Sequence, residues 1–322
     1  MKRSTGNRLI PAVIVRTLKE QPVIIALIAV FVLFSILFPD RFLSFLNFKT
    51  ILRQFITLTL FAIGPSIVVV TGSLDLSYVG IWMLGGILVW LCMPVFGLLS
   101  IFVILLLGVT TGFVIGVIQT KAKIPSFILT LSLLVTYWGL TALLSGGYPR
   151  PVRGYGFITT RLIPYIPTTL LWSIPIIAAA IFIMKCTKIG TYLYAIGSNE
   201  EGAQLAGINV DKYKILAFTL SGLFTGIGSM ILFQHLGGST PVELNLNTVV
   251  WPLVAIVLGG TPLMGGSGGP QRTILGAFTF CVFYRGVYIS PLHPYSVQLL
   301  VGLLLIVSII VSARGLKSVT IT

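Results

Sequence analysis

Residues 99–120 read LSIFVILLLGVTTGFVIGVIQT, an unbroken run with no acid and no base. At about 1.5 Å per residue a helix of this length rises about 33 Å, enough to cross a hydrocarbon core about 30 Å thick. The run is too long and too uniform for the short alternating strands of a membrane barrel. In lipid, only a helix satisfies the backbone of such a segment internally.

Similar runs recur at 22–38, 53–71, 78–95, 125–145, 169–185, 215–236, 248–264, 271–289 and 295–312. The chain therefore reads as an all-α polytopic membrane protein with about ten transmembrane helices, some discontinuous. The weak breaks at 72–77 and 258–270 leave open whether the flanking pairs are full spans or re-entrant half-helices. Composition agrees: 56% of the 322 residues are hydrophobic and 9% charged, with a mean hydropathy of +1.04. A soluble domain carries roughly a quarter charged residues.

The net charge of +14 does not point to nucleic acid, because the basic residues lie between apolar spans rather than on one face with stacking aromatics. They follow the positive-inside rule. With a cytoplasmic N-terminus, the inside set is Lys2, Arg3, Arg8, Arg16, Lys19, Lys121, Lys123, Lys185, Lys188, Lys212, Lys214, Arg272, Arg314 and Lys317; the outside set is Arg41, Lys49, Arg53, Arg150, Arg153 and Arg161. Both termini are thus expected in the cytoplasm. We read one transmembrane domain over 1–322, with a cytoplasmic tail at 1–20, an uncleaved first span, and a cytoplasmic segment at 186–214. Arg285 is left inside a span, where it either snorkels outward or pairs with a buried acid; snorkelling is the simpler expectation.

Cys92, Cys186 and Cys281 stand singly, without the spacing of a disulfide framework or a zinc site. His235 and His293 lie near the outer ends of spans with no nucleophile pattern beside them, and we expect no catalytic residue and no metal. The connection SGGYPRPVRGYGFITTRLIPYIP (145–167) reads as an outside lid or a plain linker.

Three segments stand out. In GSNEEGAQLAGINVDKYKI (197–215), Ser198 and Glu201 have capping-box spacing. Gly207 can end the resulting helix in the left-handed region, and Asp211 can cap the next span near Tyr213. The expectation is a short exposed cytoplasmic helix with Gly202, Ala203 and Ala206 on its surface; an ordinary interfacial loop is the alternative. In TGSLDLSYVG (71–80), Asp75 is either an acid at membrane depth serving a polar path or a solvated helix cap. In LGGTPLMGGSGG (258–269), six glycines rule out a regular helix and suit a broken helix or tight backbone packing. With no lysine between Lys214 and Lys317, this is not a phosphate-binding loop.

In this order, the segments resemble the permease subunits of ABC importers of the ribose/xylose/simple-sugar class, which are related to the branched-chain amino-acid permeases. The resemblance covers nearly the whole chain. It rests on TGSLDLSYVG (71–80), KIPSFILTLSLL (123–134), GTYLYAIGSNEEGAQLAGINVDKYKI (190–215) and VLGGTPLMGGSGG (257–269). Ser73 replaces a glycine usual in the family, Tyr78 stands where a small or branched residue is common, and Glu243-Leu244-Asn245 only partly echoes a Glu-Leu-Asp of sugar permeases.

The resemblance implies a non-enzymatic permease of a bacterial inner membrane that works with an ATPase subunit holding ATP and Mg, an extracytoplasmic solute-binding protein, and a second permease copy or paralogue. It assigns ATPase coupling to Ser198, Asn199, Glu200, Glu201, Gly202, Ala203, Gln204, Leu205, Ala206 and Gly207. A pathway poor in charge suits a small polar solute, a monosaccharide or related polyol, with Asp75, Ser77, Asn245, Asn247, Trp251 and Thr261 as candidate contacts. The alternatives are an ion-coupled secondary transporter, for which Asp75 is the sole evident carboxylate, or an ABC permease for nucleosides or amino acids. An intramembrane enzyme would need paired acids or a Ser-Lys or Ser-His arrangement, and none stands out.

Overall fold

The computed structural model describes residues 22–152, 154, 168–236, 238 and 242–317. The basic tail at 1–20 and most of the 145–167 connection, with Arg153 and Arg161, lie outside the described residues. Among the described residues there are helices and no strands.

The order is α1 (Pro22–Leu37), a single turn α2 (Pro39–Phe42), α3 (Phe45–Val70), α4 (Ser77–Phe96), a 3₁₀ link (Gly97–Ile101), α5 (Phe102–Ala122) and α6 (Ser126–Ser145). Then follow α7 (Thr168–Cys186), α8 (Lys188–Ser198), α9 (Glu200–Leu205), α10 (Val210–His235), α11 (Leu246–Leu258), α12 (Pro270–Ile289) and α13 (Pro294–Lys317). The ten apolar runs each become a helix. The second and the eighth depart furthest from the sequence reading. The second begins at Phe45, where Ser44 accepts the Asn47 amide as an N-cap, and the eighth stops at Leu258. Its 13 residues rise only about 20 Å, and non-helical backbone completes the path to α12.

The core is built around α3, in which every residue from Leu58 to Val70 is buried. It packs on α10, α12 and α11. The closest helix pair is α5 with α10. Gly108, Gly112 and Gly116 recur every fourth residue on α5, and a Cβ on each would run into the backbone of Gly222, Phe218 and Ile215 on α10. Apolar helices gain no hydrophobic drive by meeting in lipid, so close approach through small residues supplies the attraction. At the periphery α6 turns Phe127, Ile128, Leu131 and Val135 outward. That face suits a lipid surface rather than water.

Candidate functional site

The hydrophilic 186–214 segment is not an open loop. Gly190, Leu193 and Ile196 are buried along one face of α8, and that short amphipathic helix leads directly into α9. Here the capping assignment needs correction. Ser198 ends α8, donating its hydroxyl to the Tyr194 carbonyl (2.8 Å), and Asn199 is the cap of α9, its Oδ1 accepting the Gly202 amide at 2.9 Å. The asparagine wins because its backbone is extended while Ser198 is still helical. Gly207 does end α9: at φ +83° it lets Ile208 N–H reach the Ala203 carbonyl (3.0 Å). Asn209 rather than Asp211 caps α10, accepting the Lys212 amide at 3.0 Å. Asp211 lies in the first turn of α10, where the helix dipole favours an acid.

Helix α9 is pinned on one side and free on the other. Ala203 is buried against Ile196 and Val210, with Ile208 and Tyr213 around them. Gln204, Leu205 and Ala206 are exposed, Leu205 to 91%. Glu200 pairs with Lys214 at 2.6 Å, an exposed contact that tethers the helix only weakly. Glu201 is solvated.

The end of α8 is seated on backbone. Gly266 N–H donates to the Val70 carbonyl at 2.9 Å, Ser198 Oγ lies 3.4 Å from the Gly266 carbonyl, and the Tyr194 hydroxyl donates to the Gly268 carbonyl at 2.7 Å. The glycine run is thus the irregular backbone joining α11 to α12, packed between α3 and α8. Gly260, Gly265, Gly266, Gly268 and Gly269 all have positive φ, a conformation that explains why the segment is built of glycine. Thr261 is fully buried there, its Oγ1 accepting the Gly269 amide at 2.9 Å, which closes the loop on itself.

Next to this seat is the 71–76 link. Asp75 is 1% exposed, so it is not a solvated cap. It is a buried one: Oδ1 accepts Ser77 N–H (2.9 Å) and Ser77 Oγ–H (2.6 Å), and Oδ2 accepts the Ser221 hydroxyl of α10 (2.7 Å). Ser126 of α6 accepts the Leu74 amide at 2.9 Å, and Gln119 of α5 donates to Ser73 Oγ at 3.0 Å. Asp75 thus ties α4 to α10, while Ser73 and Leu74 tie the same link to α5 and α6.

The remaining candidates lie at the other end of the bundle. Asn245 is exposed and caps α11, its Oδ1 accepting the Asn247 amide at 2.9 Å. Asn247 and Trp251 face cavities shared with Tyr284 and Tyr288 of α12. Of the six pathway candidates, Thr261 lies on the loop beside α8, and Asp75 and Ser77 lie between the two ends: Asp75 meets Ser221 midway along α10, and Tyr78, next to Ser77, donates its hydroxyl to the Val249 carbonyl of α11. Gln54, Gln119 and Ser221 were missed as site residues, although a polar side chain inside an apolar span was the available signal. Arg285 donates from Nε to Asn47 Oδ1 at 3.0 Å, and its guanidinium stands 5.1 Å from the Tyr288 ring centre, so a buried amide and an aromatic face hold it in place.

Comparison with known proteins places this geometry in a family. The ribose import permease protein of Haemophilus influenzae is 32% identical over 323 residues, covering 96% of this chain and 97% of the relative. That of Escherichia coli K12 is 29% identical over 306 residues (92% and 94%). The autoinducer 2 import system permease protein of Yersinia enterocolitica is 29% identical over 306 residues (92% and 83%). No solved structure matches. The family model described as branched-chain amino acid transport system / permease component matches residues 47–309, so the chain belongs to that family of transport-system permeases.

Proposed function

We propose that this chain, as one transmembrane unit, is the permease subunit of an ATP-driven importer for a monosaccharide or related small polyol. The observation that carries the reading is the seating of α9. A short helix with a buried alanine and an exposed leucine is joined through α8 to the backbone of α3 and of the α11–α12 loop, as a coupling element to a separate motor would be. The substrate class is supported by the relatives, whose names specify ribose and autoinducer 2 import. It is also supported by the cavities beside Asn247 and Trp251, which no acid lines among the described residues.

In this reading ATP and Mg bind the partner ATPase, which docks on residues 198–207. The opposite end of the bundle faces an extracytoplasmic solute-binding protein. A second permease copy or a paralogue completes the assembly in a bacterial inner membrane, and the lysine-flanked α9 end and both termini are cytoplasmic. Asp75 and Ser77 brace the junction of α4 with α10 and Thr261 braces the α11–α12 loop, while Asn245, Asn247 and Trp251 meet the solute. The test is reconstitution with its partner ATPase and binding protein, followed by ATP-dependent uptake over a panel of sugars, polyols, nucleosides and amino acids. Uptake of a sugar or polyol is expected. Uptake driven by an ion gradient without ATP would overturn the importer, and uptake of amino acids alone would overturn the substrate class.

A further inference from the structure

At the end of the bundle opposite α9, two cavities meet at one pair of rings. The smaller, about 280 Å³, has a mostly apolar and aromatic wall that includes Leu58, Phe61 and Phe280, with Arg53, Gln54 and Thr57 of α3, His235 of α10 and Thr248 of α11 as its polar members. The larger, about 400 Å³, is bounded by Asn247 of α11, Tyr288 of α12 and Gln298 of α13. Trp251 and Tyr284 line both, with ring centres 4.6 Å apart, and the Phe280 ring, which also lines the smaller cavity, lies 5.5 Å from Trp251. These volumes sit at the small end of ligand sites, which run about 300–1,000 Å³.

The walls carry a specific chemistry. Gln54 Oε1 is buried and accepts no hydrogen bond among the described residues. It is an acceptor placed beside the cavity, and a buried polar atom is normally paired. Arg53 stands exposed at the rim, with the Thr248 hydroxyl and the His235 ring near it as further polar groups. The broad faces of Trp251 and Tyr284 offer an apolar surface with a polar edge. No acid lines either cavity among the described residues, so the ammonium group of an amino acid finds no charged partner. A lone rim arginine in contact with solvent is a hydroxyl or carbonyl donor rather than an enclosed anion clamp.

We infer that these paired cavities hold a neutral polyhydroxylated solute of monosaccharide size, and that Trp251 is the movable partition between them. Gln54 Oε1 accepts a solute hydroxyl, Arg53 and Thr248 donate to solute oxygens, and the C–H face of the solute lies on Trp251 and Tyr284. Rotation of the indole joins the two spaces and passes the solute from one to the other. The inference rests on the importer function proposed above.

The experiment uses the full importer in proteoliposomes with D-ribose, D-xylose and myo-inositol as probes, comparing the unsubstituted chain with Gln54→Leu, Trp251→Ala and Trp251→Phe. Losing one hydrogen bond to the solute raises the apparent KM about tenfold for Gln54→Leu, with the maximal rate retained. Trp251→Ala flattens the order of preference among the probes, and Trp251→Phe, which keeps an aromatic face, restores it. Co-purification of the ATPase checks that each variant is assembled. If the unsubstituted chain transports a probe and the variants keep its KM and the order of preference, the cavity assignment is overturned and the importer stands. If only the maximal rate falls, the residues are structural and the assignment is equally overturned. If the unsubstituted chain transports none of the three, the sugar reading fails, and this inference with it.

Discussion

Gly197, near the end of α8, lies so close to Val70, the last residue of α3, that a Cβ on Gly197 would overlap the Val70 carbonyl oxygen and come within 2.6 Å of the Gly266 amide nitrogen. No side chain cushions this contact. A displacement of α8 is therefore passed directly to the α3 terminus and to the loop that carries α11.

Replacing Gly197 with alanine should break this transmission. The methyl group must push α8 away from α3, and overpacking of this kind costs about 1–3 kcal/mol. We expect the chain to insert and still to co-purify with the ATPase, since the exposed face of α9 is unchanged. Uptake should fall about tenfold or more. Equal uptake by Gly197→Ala and the unsubstituted chain would disconnect the seat from transport.

Asp75 gives a second prediction, because its two oxygens collect three donors from two helices. Asp75→Ala strands the Ser77 and Ser221 hydroxyls in a buried site and should lower stability by about 1–3 kcal/mol. Asp75→Asn keeps an acceptor for the Ser77 amide, and its NH₂ group can donate to the rotatable Ser221 hydroxyl. It should therefore insert normally yet transport less. Thermal melting in detergent and uptake in vesicles separate the two effects. Normal uptake by an inserted Asp75→Asn would reduce Asp75 to a helix cap.

The contact between α5 and α10 yields a third. Gly112→Leu places a branched side chain against the Phe218 carbonyl and Thr219 Cα and should destabilise the fold by at least about 1–3 kcal/mol. Gly139→Leu, on an exposed face with nothing within 4 Å of the added Cβ, is the control and should melt like the unsubstituted chain. A Gly112→Leu protein that melts with the control would contradict the close helix pairing.

Much of this architecture was legible in the sequence, because lipid makes length and apolarity decisive. The ten runs became helices, and Gly207 marked the end of α9 since few other residues accept φ +83°. What escaped was set by contacts distant in sequence. Asn199 displaced Ser198 as the cap because Ser198 is held in α8, where its hydroxyl turns back to Tyr194. Periodicity could not show that Asp75 would meet Ser221, 146 positions away. Nor could it show that Tyr78, next to Ser77, would reach the Val249 carbonyl of α11, 171 positions on. The Gly108–Gly112–Gly116 repeat was readable as a helix-packing signal and is the plainest one left unused.

The most direct measurement concerns the free face of α9. Gly202→Trp crowds the Asn199 side chain, which lies within 3.4 Å of an added Cβ. Ala203→Trp cannot fit between Ile196 and Val210. The double variant should insert in the membrane but lose the docking surface around Leu205. Co-purification of the ATPase, together with substrate-stimulated ATP hydrolysis in proteoliposomes, reads this out. The account predicts that both fall to background while the amount of inserted permease is unchanged. Full co-purification with unsubstituted rates of stimulated hydrolysis would remove residues 198–207 from the ATPase interface and contradict the importer mechanism built on them.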